Sequence, residues 1–146
     1  VAFLPDLSVC TYFPIEHGGV LRAIGWLEPS QPFPTGATAA SVYSRLCELL
    51  VDPWQPFVAA GFHDCTLCQF HGEAQGRANL FVPNGTFIYV CPDLITHYIN
   101  AHHYQPPEEF CRAVVACPDT RSMEYKRLLL SSGGRVLVQK LTTRSS

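Results

Sequence analysis

The sequence predicts an α+β fold, and three observations predict it. Cys65-Thr66-Leu67-Cys68 reads as a tight turn carrying two thiols. After it, two β-prone runs flank Asn84-Gly85, and then His97 and His102 stand five residues apart on a segment of helical periodicity. A Cys-x-x-Cys pair and a His-x-x-x-x-His pair are the two halves of a tetrahedral Cys₂His₂ site for Zn2+. Knuckle, hairpin and helix in that order describe a treble-clef-like or zinc-finger-like core. An additional strand and helix are expected on its N-terminal side and further helices on its C-terminal side.

The elements follow in chain order. Residues 20–28 read as a strand, with Gly25 marking a bulge or close backbone contact. Three prolines within residues 29–34 exclude both regular structures and make a loop. Over residues 38–50, Ala39, Val42, Tyr43, Leu46, Leu49 and Leu50 recur at helical spacing, and Asp52-Pro53 ends that helix. Residues 57–60 lead into the knuckle as a short strand. The runs 78–82 and 86–91 form the hairpin, since both Asn84 and Gly85 tolerate the positive φ of a tight turn. That turn also explains the glycosylation-like Asn84-Gly85-Thr86.

Three helices follow. Pro92-Asp93 opens the first, which carries Leu94, Ile95, Tyr98 and Ile99 and ends near His103. Pro106-Pro107 starts the second, where Phe110, Val114 and Cys117 lie on one face. The third spans residues 123–130 and stops at Ser131-Ser132-Gly133-Gly134. Residues 135–146 are expected to be an edge strand or a tail.

Bulk properties bound the function. The 146 residues are 47% apolar and 15% charged, which suits one globular domain over residues 1–146 and excludes a disordered chain. No apolar run reaches membrane-spanning length, so no membrane partner is expected. The first residues lack the basic region and long apolar stretch of a signal peptide. Seven cysteines are an odd number, and their one tight pair has metal-ligand spacing, so a reducing, cytoplasmic location is expected. Residues 1–118 hold four basic against ten acidic residues, net −6; residues 119–146 hold six against two, net +4. That basic segment is spread thinly, which makes it a weak nucleic-acid patch and better read as a solvated surface.

The 28 residues between Cys68 and His97 are about twice the gap of a DNA-reading finger, and a hairpin consumes the excess. His63, two residues before Cys65, is the leading substitute ligand or a donor that orients a thiolate. His103 and His71 also lie within reach of the pattern, although a packed or surface role is the simpler reading of each. His71-Gly72-Glu73 echoes the zinc deaminases, but its order relative to Cys-x-x-Cys is reversed and the proline is missing. A thioredoxin-like pair would need a helix starting at the first cysteine. Cys91, before a helix start, has the position of an activated thiol, with space-filling as its simpler role.

Gly61-Phe62-His63-Asp64-Cys65-Thr66-Leu67-Cys68, Leu94-Ile95-Thr96-His97-Tyr98-Ile99-Asn100-Ala101-His102 and Tyr104-Gln105-Pro106-Pro107 together resemble a small bacterial family of unknown function. The resemblance runs upstream through Ala23-Ile24-Gly25-Trp26-Leu27 and Pro32-Phe33-Pro34-Thr35-Gly36, over roughly residues 5 to 118. It implies His102 rather than His103 as the second histidine, a role for His63, and a small-residue position at Cys91. It brings no established activity. The expectation is therefore a structural-zinc domain held by Cys65, Cys68, His97 and His102 and acting as a protein-binding or adaptor module. Trp26, Phe33, Trp54 and Tyr104 are candidate anchors for a protein partner. A hydrolase or deaminase-like enzyme, with His63 or Glu73 activating water, is the alternative; a nucleic-acid binder using the segment after Asp119 is the third reading.

Overall fold

A computed structural model describes residues 3–57, 63–70 and 74–139. Its elements run β1 (Leu21–Ala23), α1 (Ala40–Leu49), β2 (His63–Asp64), β3 (Gln75–Gly76), β4 (Asn79–Pro83), β5 (Ile88–Pro92), α2 (Ile95–His102), α3 (Glu108–Ala116) and α4 (Met123–Ser131). The strand expected at residues 57–60 falls largely outside the described residues. So do His71, Gly72 and Glu73, and the chain from 140 onward.

Among the described residues the fold is mixed α+β with two small sheets. β5 is the middle strand of the larger one, antiparallel to β4 and parallel to β1. Ile88, Tyr89, Val90 and Cys91 are all buried. Such an unbroken apolar run marks a strand covered on both faces, where an alternating one would leave a face to water. The Val90 carbonyl accepts two bonds, from Ile24 N and Trp26 Nε1, each at 2.9 Å.

The first strand is shorter than its apolar run, and Gly25 is the reason. Its φ of +74° turns the chain out of the ladder. An added Cβ there would meet Ile95 at 3.4 Å, so glycine also permits the close approach of α2. Asp6 fixes this corner: its Oδ1 accepts from Gly25 N at 2.9 Å and its Oδ2 from the Tyr104 hydroxyl at 2.7 Å.

The β4–β5 hairpin forms where expected, with a different turn. Pro83 pairs with Ile88, leaving residues 84–87 as the loop. Only Gly85 takes a positive φ, +98°. Asn84 contributes through its side chain instead: Oδ1 accepts from Thr86 N and Phe87 N, both at 2.8 Å.

α1 packs on α3 and α2, and α4 lies against β4. Glu108 and Glu109 occupy the first turn of α3, where the helix dipole favours acidic groups. Ser122 caps α4 by accepting from Tyr125 N at 3.2 Å. Residues 135–139 are helical, which corrects the edge strand expected there. Leu137 N and Val138 N both donate to Gly134 O, and Leu137 is buried between half-buried Val136 and Val138. The apolar run thus packs in helical form, with Leu137 buried.

Candidate metal centre

The thiols are placed by the small ribbon. His63 pairs with Gly76 and Asp64 with Gln75, and Cys65 N donates to Ala74 O at 2.8 Å, which carries the ribbon one step further. That step seats Cys65 in the core at 1% exposure. A turn at residues 66–67 then brings Cys68 back beside it.

The imidazoles are placed by α2. In a straight helix, residues five apart are rotated by about 140°, so His97 and His102 would diverge. The last turn is widened. His103 N and Tyr104 N both donate to Tyr98 O, reaching back five and six residues, where a regular turn reaches back four. His103 closes the helix in the left-handed region, with φ of +58°. This unwinding brings His102 round toward His97, and their rings stand 5.0 Å apart at 80°.

The four side chains converge. Cys68 Sγ lies 3.1 Å from His97 Nε2 and 3.5 Å from His102 Nε2, and Cys65 Sγ lies 3.5 Å from His102 Nε2. All four donor atoms fall within 4.8 Å of one another, a group that can hold a metal ion. Zn–S near 2.3 Å and Zn–N near 2.0–2.1 Å give a sulfur-to-nitrogen edge of about 3.6 Å in a tetrahedron. The two edges to His102 Nε2, both 3.5 Å, match that figure, and the Cys68–His97 edge of 3.1 Å is shorter by about 0.5 Å. Two sulfurs and two imidazoles without a carboxylate suit a borderline-soft ion better than calcium or magnesium. Cys65 is buried and the other three are half-buried, so the cluster sits at the margin of the core. Tyr98 backs it at 2% exposure. Its hydroxyl is pushed well up, first by burial and then by the negative groups Cys65, Asp93 and Cys68.

Residues 2–115 match the family described as Domain of unknown function (DUF7919). The chain belongs to this family. The DUF7919 region contains all four clustered residues and ends within α3, so α4 and the helical turn at 135–139 lie beyond it. No curated protein and no solved structure matches the chain.

The remaining candidates separate cleanly around this DUF7919 cluster. His103 is exposed at the cap of α2 and is not in the group. His63 is also outside it, with Nε2 3.5 Å from the Tyr12 hydroxyl. Cys91 is fully buried, and burial, followed by the nearby Asp93, pushes its thiol far up; it fills space in β5. Burial likewise pushes Cys117 up to about 12. All seven cysteines are described, and none forms a disulfide. Of the expected aromatic anchors, Trp26 and Tyr104 are core residues at 4% and 0% exposure, because each sends its polar atom to a buried partner. Phe33 and Trp54 are half-buried.

Three further residues take roles that the sequence reading did not give them. His17 bridges two backbone groups, accepting from Leu21 N at Nδ1 and, in that tautomer, donating from Nε2 to Cys10 O at 2.8 Å. Asp93 Oδ2 accepts from Arg77 N and Ala78 N, each at 3.1 Å, tying the start of α2 to the β3–β4 connection. Gly76 makes room for that carboxylate, since an added Cβ would fall 1.9 Å from Asp93 Oδ1. Asp93 directly before a helix was the available signal for the second. A glycine in a two-residue strand carries none.

Proposed function

We propose that this DUF7919 chain is a structural-zinc-binding domain that works as a protein-binding or adaptor module. One observation carries the reading: Cys65, Cys68, His97 and His102, from two segments 28 residues apart in sequence, bring four metal-binding atoms to one point. Four protein ligands close a tetrahedral ion, whereas a catalytic zinc keeps a position for water. The β2–β3 ribbon with its Cys-x-x-Cys turn acts as the zinc knuckle, and the hairpin and α2 complete a treble-clef-like unit. Binding of structural zinc supplies about 10–16 kcal/mol in small peptides, enough to hold such short elements together.

A binding role is supported by exposed apolar side chains, with Tyr12, Phe70 and Met123 at 42%, 62% and 58% exposure. In the basic C-terminal segment, Arg121 is already engaged by both oxygens of Asp52, which favours docking on the domain over contact with nucleic acid.

The test is metal analysis of chain purified without added chelator, beside Cys65→Ser. The expected result is an equivalent of zinc in the parent chain, lost together with thermal stability in the variant. A metal-free parent whose melting temperature is unchanged by Cys65→Ser would overturn the proposal.

A further inference from the structure

Where α4 meets the segment after α1, a concavity of about 310 Å³ opens to solvent. Trp54, Tyr125 and Leu129 make its floor, and the Trp54 and Tyr125 rings meet edge-on with centroids 6.5 Å apart. Tyr125 and Leu129 are buried beneath it, while Met123 stands at its edge, 58% exposed. The family match ends at residue 115, so this groove forms where the later helix packs on the family region.

Its charge is of one sign. Of the residues lining it, Arg121 and Lys126 are basic and none is acidic. Arg121 gives Nε and Nη2 to the carboxylate of Asp52, Nε at 2.6 Å, so that pair is close to neutral. Lys126 is exposed and pairs with no carboxylate among the described residues. Glu124 shares the helix, but the two residues between them turn it about 160° away from Lys126. Ser122 and Met123 also put the N-terminal end of α4 at the groove, where the helix dipole favours negative charge.

We propose that this groove docks an acidic segment of a partner protein. An aliphatic or aromatic side chain of that segment enters between Trp54 and Met123, and a flanking Asp or Glu pairs with Lys126. The inference rests on the binding-module reading above and gives it a contact surface. Charge argues against two other occupants. Residues 140–146 follow Val138 at the groove, but they bring Lys140 and Arg144 and no acidic side chain, so like charges oppose them. Nucleic acid draws its affinity from several phosphate contacts, and the groove offers one uncommitted cation over an apolar floor.

The test is an amide chemical-shift titration of the full, zinc-loaded chain with four probes. They are N-acetyl-Glu-Asp-Leu-Phe-Asp-Glu amide, its counterpart with Gln and Asn for the acids, its counterpart with Ser for Leu and Phe, and a short oligothymidylate. The first is expected to bind and to shift the amides of residues 121–126 and the Trp54 indole N–H, more weakly as salt rises. The other three are expected to bind at least tenfold more weakly. Two variants at exposed side chains should weaken the first probe, Lys126→Glu at least tenfold and Met123→Ala severalfold. Arg127→Glu, the same charge change at a position outside the groove, should leave it within about twofold. No binding of the first probe, equal binding of any other probe, or equal loss in Lys126→Glu and Arg127→Glu would overturn the proposal. So would binding that appears only after residues 140–146 are removed, since the chain's own segment would then be the occupant. A dimer in sedimentation that Lys126→Glu dissolves would overturn it in favour of a second copy. Zinc content is measured on each sample to separate the two readings. Probe binding by a chain that purifies metal-free upholds the groove and sinks the metal site; a zinc-loaded chain that ignores the probe does the reverse.

Discussion

Cys68 Sγ and His97 Nε2 lie 3.1 Å apart across a 28-residue gap that contains the entire β4–β5 hairpin. Closing a loop of that length costs several kcal/mol of chain entropy, and a thiol–imidazole contact at a half-buried margin returns only about 1 kcal/mol. On the proposed function, a shared ion would supply what the contact cannot. Cys68→Ser and His97→Ala should therefore each abolish zinc retention and cost more than about 4 kcal/mol in urea unfolding, the range reserved for loss of a metal or a core. Cys47→Ser, at an exposed thiol on α1, should do neither. Equal, small losses in all three variants would show that the cluster contributes no more than ordinary packing.

Metal removal should report on the same linkage. An ion that binds only the folded chain adds about 1.4 kcal/mol for every tenfold excess over its dissociation constant. Chelator treatment should lower the melting temperature, and returned zinc should restore it in a concentration-dependent way. Magnesium should not, because it disfavours sulfur ligands. A melting curve indifferent to chelator and zinc alike would contradict this.

His102 and His103 adjoin in sequence but occupy different conformations, and substitution should separate them. His103 takes a left-handed φ of +58° at the cap of α2 and is exposed. Glycine adopts that conformation without the steric cost of a Cβ, so His103→Gly should hold zinc and gain up to about 1 kcal/mol. His102→Ala should lose the metal. Zinc loss from His103→Gly would mean that the cap, and the widened turn behind it, depend on the imidazole.

The sequence made the cluster legible because ligand chemistry is local: two thiols two residues apart and two histidines on one helix declare themselves whatever surrounds them. It also exposed α1, the hairpin strands and the three later helices, whose apolar positions recur at periods a short window can detect. The parallel pairing of β1 with β5 was hidden, since nothing in residues 21–23 names a partner 65 or more residues away. The widened last turn of α2, made by the bonds of His103 N and Tyr104 N to Tyr98 O, has no signal in the periodicity of residues 94–103. The segment at 135–139 misled because alternating apolar residues suit a strand only where a sheet edge is free to receive it. Trp26 and Tyr104 were candidate anchors with core packing as the simpler reading of each, and core packing is what the fold gives them. Their polar atoms meet Val90 O and Asp6, contacts spanning 64 and 98 residues.

α4 should stabilise the family domain without altering the proposed metal site. Tyr125 is 2% exposed, and its hydroxyl donates to Phe81 O within the β4 ladder region. Its ring also meets Trp54 edge-on, with centroids 6.5 Å apart. Tyr125→Phe keeps the packing but leaves a buried carbonyl short of a donor, a loss of about 1–3 kcal/mol. Leu129→Ala, at 2% exposure on the same face, should cost about 2–5 kcal/mol. Zinc content should stay at the parent level in both, measured on the samples used for unfolding.

Asp6 should give part of the stability an inverted dependence on pH. Burial raises its carboxyl above the usual aspartate value, and this outweighs the lowering by the bonds from Gly25 N and the Tyr104 hydroxyl. The folded chain therefore binds the Asp6 proton more tightly than the unfolded chain does. Between about pH 3.9, the unfolded aspartate value, and the raised folded value, the folded state carries more protons, so this group's contribution falls as pH rises. Asp52 works in the opposite direction, since Arg121 holds its carboxyl low, but it is common to any pair of chains compared at Asp6. Asp6→Asn keeps an acceptor for Gly25 N and removes the charge, while its amide can donate to the Tyr104 oxygen. The stability difference between Asp6→Asn and the parent, from urea unfolding at pH 4, 5.5 and 7, should move in favour of asparagine as pH rises through that window and stay level above the raised folded value. A difference that stays constant across those three points would mean that Asp6 titrates alike in the folded and unfolded chains, and that the two hydrogen bonds offset its burial in full.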